Sequence, residues 1–188
     1  MFDSQLRYYF VQNNRGRATE LHRSCLIYKF FVKSQKTGDR RKYIVEVKDY
    51  DSSLYTIDFY AKLSTRNHPD KYRLTTNQFT FGQVAATLLR IMSSLITQTD
   101  ARACFGILAA TLPGEKSDDS TKRFVTYSRI LRRIAKPSDT ESEPNPFANV
   151  SILTIAERSA IFVLSEPRND HEKQDVIEKY LEIFREVF

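Results

Sequence analysis

Apolar and polar residues alternate through much of the first third of the chain. In RKYIVEVKDY, Tyr43, Val45 and Val47 alternate with Lys42, Glu46 and Lys48. In LYTIDFYAKL, Ile57, Phe59, Ala61 and Leu63 alternate with Thr56, Asp58, Tyr60 and Lys62. A period of two marks strands with one face toward a core and one toward water. CLIYKFFVKS, residues 25–34, is rich in β-branched and aromatic types and predicts another strand. The KTGDR and DYDSS segments between these runs are short, so neighbouring strands should be antiparallel. LRYYFVQ near the start and KYRLTT after RNHPDK predict two further strands.

The period then changes. Thr80 and Gln83 have capping-box spacing, and Phe79 with Val84 stands at the positions of a hydrophobic staple. From Val84 to Ile96 the apolar residues cover most of a helix's circumference, interrupted by charge only at Arg90, which predicts a largely buried helix. ARACFGILAATL is a continuous apolar run, expected as a central strand buried on both faces. Residues 121–136, TKRFVTYSRILRRIAK, divide by angle: Phe124, Tyr127, Leu131 and Ile134 fall on one side of a helix. Lys122, Arg129, Arg132, Arg133 and Lys136 fall on the other. PSDTESEPNPFAN, residues 137–149, carries three prolines and reads as a flexible loop. VSILTI and SAIFVLS predict two short strands, and the chain closes in a helix striped by Val176, Ile177, Tyr180, Leu181 and Phe184. The expectation is an α+β fold: an antiparallel meander followed by strand–helix alternation, forming one mixed sheet with about three helices packed on it. Neither a repeat nor a boundary interrupts it, so residues 1–188 are expected as one domain.

Composition supports a folded chain. Hydrophobic residues make up 41% and charged residues 28% of 188, and thirteen Phe with ten Tyr supply core area without disulfides or metal. Cys25 and Cys104 both lie in apolar runs and read as small core residues, which suits a reducing compartment. No apolar run reaches the roughly 18–20 residues of a membrane-spanning helix. The opening segment lacks the apolar stretch of a secretory signal, so the cytoplasm is the expected location, with no membrane association.

The net charge of +6 is regional. Cations concentrate on the outer side of the 121–136 helix and at Arg40 and Arg41, while acids gather in EKSDDS, in SDTESE and along the last helix. Such a helix face suits a phosphate backbone or an acidic protein partner, and Tyr8, Tyr9 and Tyr60 are candidates for stacking on bases. The blander reading is a solvated face whose arginines pair with the acidic 139–143 stretch.

The segments IDFYAKL, ARACFGILAA and TKRFVTY resemble those of short uncharacterised bacterial proteins with a similar strand–helix–strand–helix order, over about the middle half of the chain. The resemblance implies a bacterial or phage setting and no activity.

One motif points to catalysis. Glu46 and Lys48, two residues apart on a strand, share a face, as in metal-dependent nucleases where an acid holds Mg²⁺ or Mn²⁺ and a lysine steadies the attacking water. Such a site needs a further acid. Asp58 has compatible facing but follows in the chain, Asp39 lies only seven residues upstream, and Glu20 stands further off. The competing reading is a ladder of cross-strand charges on the wet face of a sheet. His22 lies three residues from Cys25, but nothing around the pair lowers the thiol pKa. His68 and His171 are scattered, and five glycines form no phosphate-cradling loop. The expected function is therefore a non-enzymatic binding module with no cofactor. A nuclease centred on Glu46, Lys48 and Asp58 is the alternative. A homodimer formed through the stripe ending in Phe184, Val187 and Phe188 is a third possibility.

Overall fold

The computed structural model describes residues 6–34, 37–62, 81–98, 100–109, 120–134, 147, 150–165 and 169–185. Four strands come first: β1 (Tyr8–Arg15), β2 (Ser24–Lys33), β3 (Arg40–Asp49) and β4 (Leu54–Ala61). They form an antiparallel meander, as the alternation predicts. Two tight connections hold it. Gly38 turns the β2–β3 hairpin at φ 75°, a conformation that costs a residue without Cβ nothing. Ser52 and Ser53 turn the β3–β4 hairpin at φ 64° and 62°, closed by Tyr50 N–H donating to the Leu54 carbonyl at 2.8 Å.

Helix α1 (Phe81–Gln98) then carries the chain to β5 (Cys104–Leu108), which pairs parallel with β4. Helix α2 (Lys122–Ile134) leads to β6 (Ser151–Ile155), β7 (Ala160–Leu164) and the closing helix α3 (Asp170–Ile183). The sheet has seven strands in the order β1-β2-β3-β4-β5-β7-β6. The architecture is α+β, one mixed sheet with a single parallel pair and three helices.

The sheet divides its side chains between two cores. Tyr43, Val45, Val47, Ile57, Phe105 and Val163 point to one face and pack with Val84, Ile91 and Met92 of α1 and Phe124 and Leu131 of α2. Leu54, Cys104, Phe162 and Leu164 point to the other, under Val176, Tyr180 and Phe184 near the end of the chain. The apolar run around Cys104 therefore feeds both cores, which is why it lacks alternation. The second core draws on β4, β5, β7 and, through Leu153 and Ile155, β6, so among the described residues no helix covers β1 to β3 on that side.

The stripe of the last helix folds inward, with Tyr180 fully buried and Phe184 5% exposed. The expected strand at KYRLTT and the Thr80 capping box lie outside the described residues, as does the 137–149 loop except Phe147, which is buried in the larger core. No described helix is long and apolar enough to cross a membrane.

A candidate nucleic-acid interface

Helix α2 is anchored by its first turn. The Thr121 hydroxyl accepts from Phe124 N–H and donates to the Ala109 carbonyl, both at 3.1 Å, while Thr121 N–H donates to Ser159 Oγ at 3.0 Å. This fixes the helix rotation: Phe124, Ser128 and Leu131 are buried, and Lys122, Arg129, Arg132 and Arg133 are exposed. Arg132 donates to Thr154 Oγ1 of β6 at 3.1 Å, which carries the basic surface from the helix onto the sheet edge. Among the described residues no acid pairs with Arg129, Arg132 or Arg133. Arg132 and Arg133 occupy the last turn, where cations also offset the negative end of the helix dipole. Lys136 lies outside the described residues.

Of the two hairpin arginines, only Arg41 points to the side of the sheet that carries α1 and α2. In β3, Arg41 alternates with Arg40, so they point to opposite faces, and Arg40 shares the side of Lys42, Glu46 and Lys48 away from α1 and α2. Its guanidinium lies 4.2 Å above the Phe31 ring.

The Glu46–Lys48 pair sits on that same open face. Glu46 stands directly opposite Asp58, and Lys48 Nζ reaches Asp58 Oδ2 at 3.4 Å. The Tyr60 hydroxyl hydrogen-bonds Glu46. Burial works against the Lys48 ammonium, but Asp58, Tyr50 and Glu46 outweigh it and hold its pKa above the ordinary lysine value. Glu20 is near enough to interact with Lys48, but its carboxylate accepts from Arg17 N–H at 2.8 Å and lies 3.6 Å from His22 Nε2. Asp39 stays in the hairpin turn before β3. The structure thus assembles two carboxylates and a lysine, each with a partner, and no described group of three donors suited to a metal ion. Cys25, in the same cluster, is buried and its thiol is pushed up to about 11, chiefly by desolvation and next by Glu46, so it is a poor nucleophile.

A second basic region lies further along the same open face, of which the sequence reading singles out Arg40 alone. The strand registers set Lys29 beside Ile44 and Tyr9, Phe31 beside Lys42, and Lys33 beside Arg40. Lys62 N–H donates to the Lys42 carbonyl at 2.8 Å, which places Lys62 next to Lys42. Burial and then repulsion from Lys62 and Lys29 hold the Lys42 pKa below its ordinary value. Arg7 adds a sixth cation, its guanidinium 5.2 Å above the Tyr9 ring. The signal was present in the chain as Lys29, Phe31 and Lys33 at period two, but only the hairpin registers align it with Lys42 and Lys62.

No family model, curated protein or solved structure matches this chain.

Proposed function

We propose that this protein is a non-enzymatic module that binds nucleic acid, with the outer face of α2 as a phosphate-contacting surface. One observation carries the reading: Arg129, Arg132 and Arg133 are exposed together on α2 with no acidic partner among the described residues. Arg129 and Arg133 are four residues apart, and like charges at that spacing cost an isolated helix about 0.2–0.5 kcal/mol. A phosphate backbone bound along this face would remove that repulsion and release its own counterions. The sheet's carboxylates are engaged with Lys48 and Tyr60, which favours binding over metal-assisted hydrolysis.

Fluorescence anisotropy with generic duplex DNA and RNA at two salt concentrations tests the proposal. Tighter binding at low salt is expected. Reversing Arg129, Arg132 and Arg133 to Glu removes three contacts, so the slope of log affinity against log salt should flatten by about 3 and low-salt affinity should fall roughly tenfold or more. Absence of duplex binding at low salt, or a triple variant that binds like the parent, would overturn it. Binding of a polyglutamate probe without nucleic-acid binding would redirect the reading to an acidic protein partner.

A further inference from the structure

The open face of the meander divides its charges unevenly. Toward the Lys48 end, charges are paired: Lys48 with Asp58, and Glu46 with the Tyr60 hydroxyl. Toward the β2–β3 hairpin, Arg7, Lys29, Lys33, Arg40, Lys42 and Lys62 share the face, and among the described residues no carboxylate stands on their rows. Like charges opposite one another across strands are destabilising, and Lys42 meets both Lys62 and Lys29. A solvated face chosen only for solubility would intersperse the two signs, as the other half does. Among the described residues this half retains an uncompensated charge that an external polyanion would neutralise.

The aromatic side chains identify which polyanion. Tyr9, 38% exposed, and the half-buried Phe31 and Tyr60 stand among these cations. Tyr9, Lys29, Ile44 and Tyr60 form one row across β1 to β4, about 14 Å wide at about 4.8 Å per strand, with Phe31 one row above. Guanidinium groups already lie over the rings of Tyr9 and Phe31. Duplex phosphates or an acidic peptide would use the cations and leave the rings idle. Unpaired bases use both, since they stack on ring faces and arginine planes while the backbone runs past the lysines.

We infer that the open face of the β1–β4 meander is a stacking platform for single-stranded nucleic acid, a second surface on the side of the sheet away from α2. It deepens the nucleic-acid reading given above but does not depend on the α2 arginines.

The test uses the full chain with labelled single strands of about twelve mixed nucleotides, a length within the usual reach of one such surface, beside the duplex probes. Changing Lys29, Lys42 and Lys62 to Glu should weaken single-strand binding tenfold or more and flatten its salt slope by about 2, with duplex affinity unchanged. The double variant Tyr9→Thr/Phe31→Thr should lose about tenfold in single-strand affinity with its salt slope unchanged, because stacking releases no counterions. Thr keeps strand propensity, and circular dichroism melts of each variant confirm the fold. Reversal of the α2 arginines should leave single-strand affinity within about twofold. Duplex binding without single-strand binding, single-strand binding lost with the arginines but kept without the lysines, or a Thr variant that binds like the parent would each overturn the platform while leaving the α2 reading standing. Absence of binding to either probe overturns both.

Discussion

At the scale of single residues, the tightest constraint is the approach of Tyr180 to Gly106. Tyr180 is fully buried, and its hydroxyl contacts the carbonyls of Tyr55 and Cys104 while accepting from Tyr55 N–H at 3.3 Å. The ring therefore rests on β5, and a Cβ on Gly106 would meet Tyr180 Cε1 at 2.7 Å and Phe184 Cζ at 3.0 Å. The hydroxyl contacts restrict the ring, which stacks on Phe162 with centroids 4.9 Å apart. Gly106→Ala should therefore destabilise by about 1–3 kcal/mol, the usual cost of overpacking a closed core. A fall in the urea midpoint without a change in its slope checks this; an unchanged midpoint would refute it. Tyr180 was legible in the sequence as one position of an apolar stripe. Its hydroxyl contacts were not, because they join residues 125 and 76 positions apart in the chain.

At the scale of elements, helix starts are set by short polar signals that differ in how openly the chain displays them. Asn169 caps α3 in a full box: its side chain accepts from Glu172 N–H at 2.9 Å, and Glu172 Oε2 accepts from Asn169 N–H at 3.1 Å. Asn169→Ala removes the side-chain acceptor for Glu172 N–H, while the Glu172 carboxylate can still accept from the N–H of residue 169, and should cost about 1 kcal/mol, whereas Asn169→Asp should be near neutral. Chemical denaturation of the two variants checks the pair, and equal losses would show that the side-chain cap contributes nothing specific. The meander, the buried central strand and the two-sided α2 were all legible, because periodicity reports which face of an element is buried. Register was not, since period two is the same for every pairing of two strands. That is why Lys42 and Lys62 read as separate wet-face residues and Lys29 went unremarked in a strand rich in aromatic residues, and why Arg40 was grouped with α2 although the sheet lies between them. The charges of Glu46, Lys48 and Asp58 were placed on one face correctly, and the direct opposition of Glu46 to Asp58 emerged only from the β3–β4 register.

At the scale of the whole molecule, the fold depends on polar groups that must stay neutral. Tyr55, Tyr60 and Tyr127 are each pushed up to about 12 from 10.0, in every case chiefly by desolvation. The Cys25 thiol rises from 9.0 to about 11 for the same reason. A group whose pKa is higher folded than unfolded contributes stability that is complete below the unfolded value and is lost as pH rises through the folded one. These four side chains therefore predict a fold that holds to about pH 9–10 and weakens steeply between about 10 and 12. Lys42 acts with the opposite sign: its lowered pKa means that alkali relieves its repulsion with Lys62 and Lys29. That relief is a single solvent-facing contribution set against four groups, so the net slope should remain downward. Thermal melts at several alkaline pH values, with phenolate absorbance followed in parallel, test the balance. The phenols of Tyr55, Tyr60 and Tyr127 should ionise only together with loss of the fold. In Tyr127→Phe one ionising group is gone, so its alkaline loss of melting temperature should be shallower than that of the parent. Parallel curves for the two proteins would remove Tyr127 from the account, and smooth ionisation of every phenol in the folded state would refute the prediction as a whole.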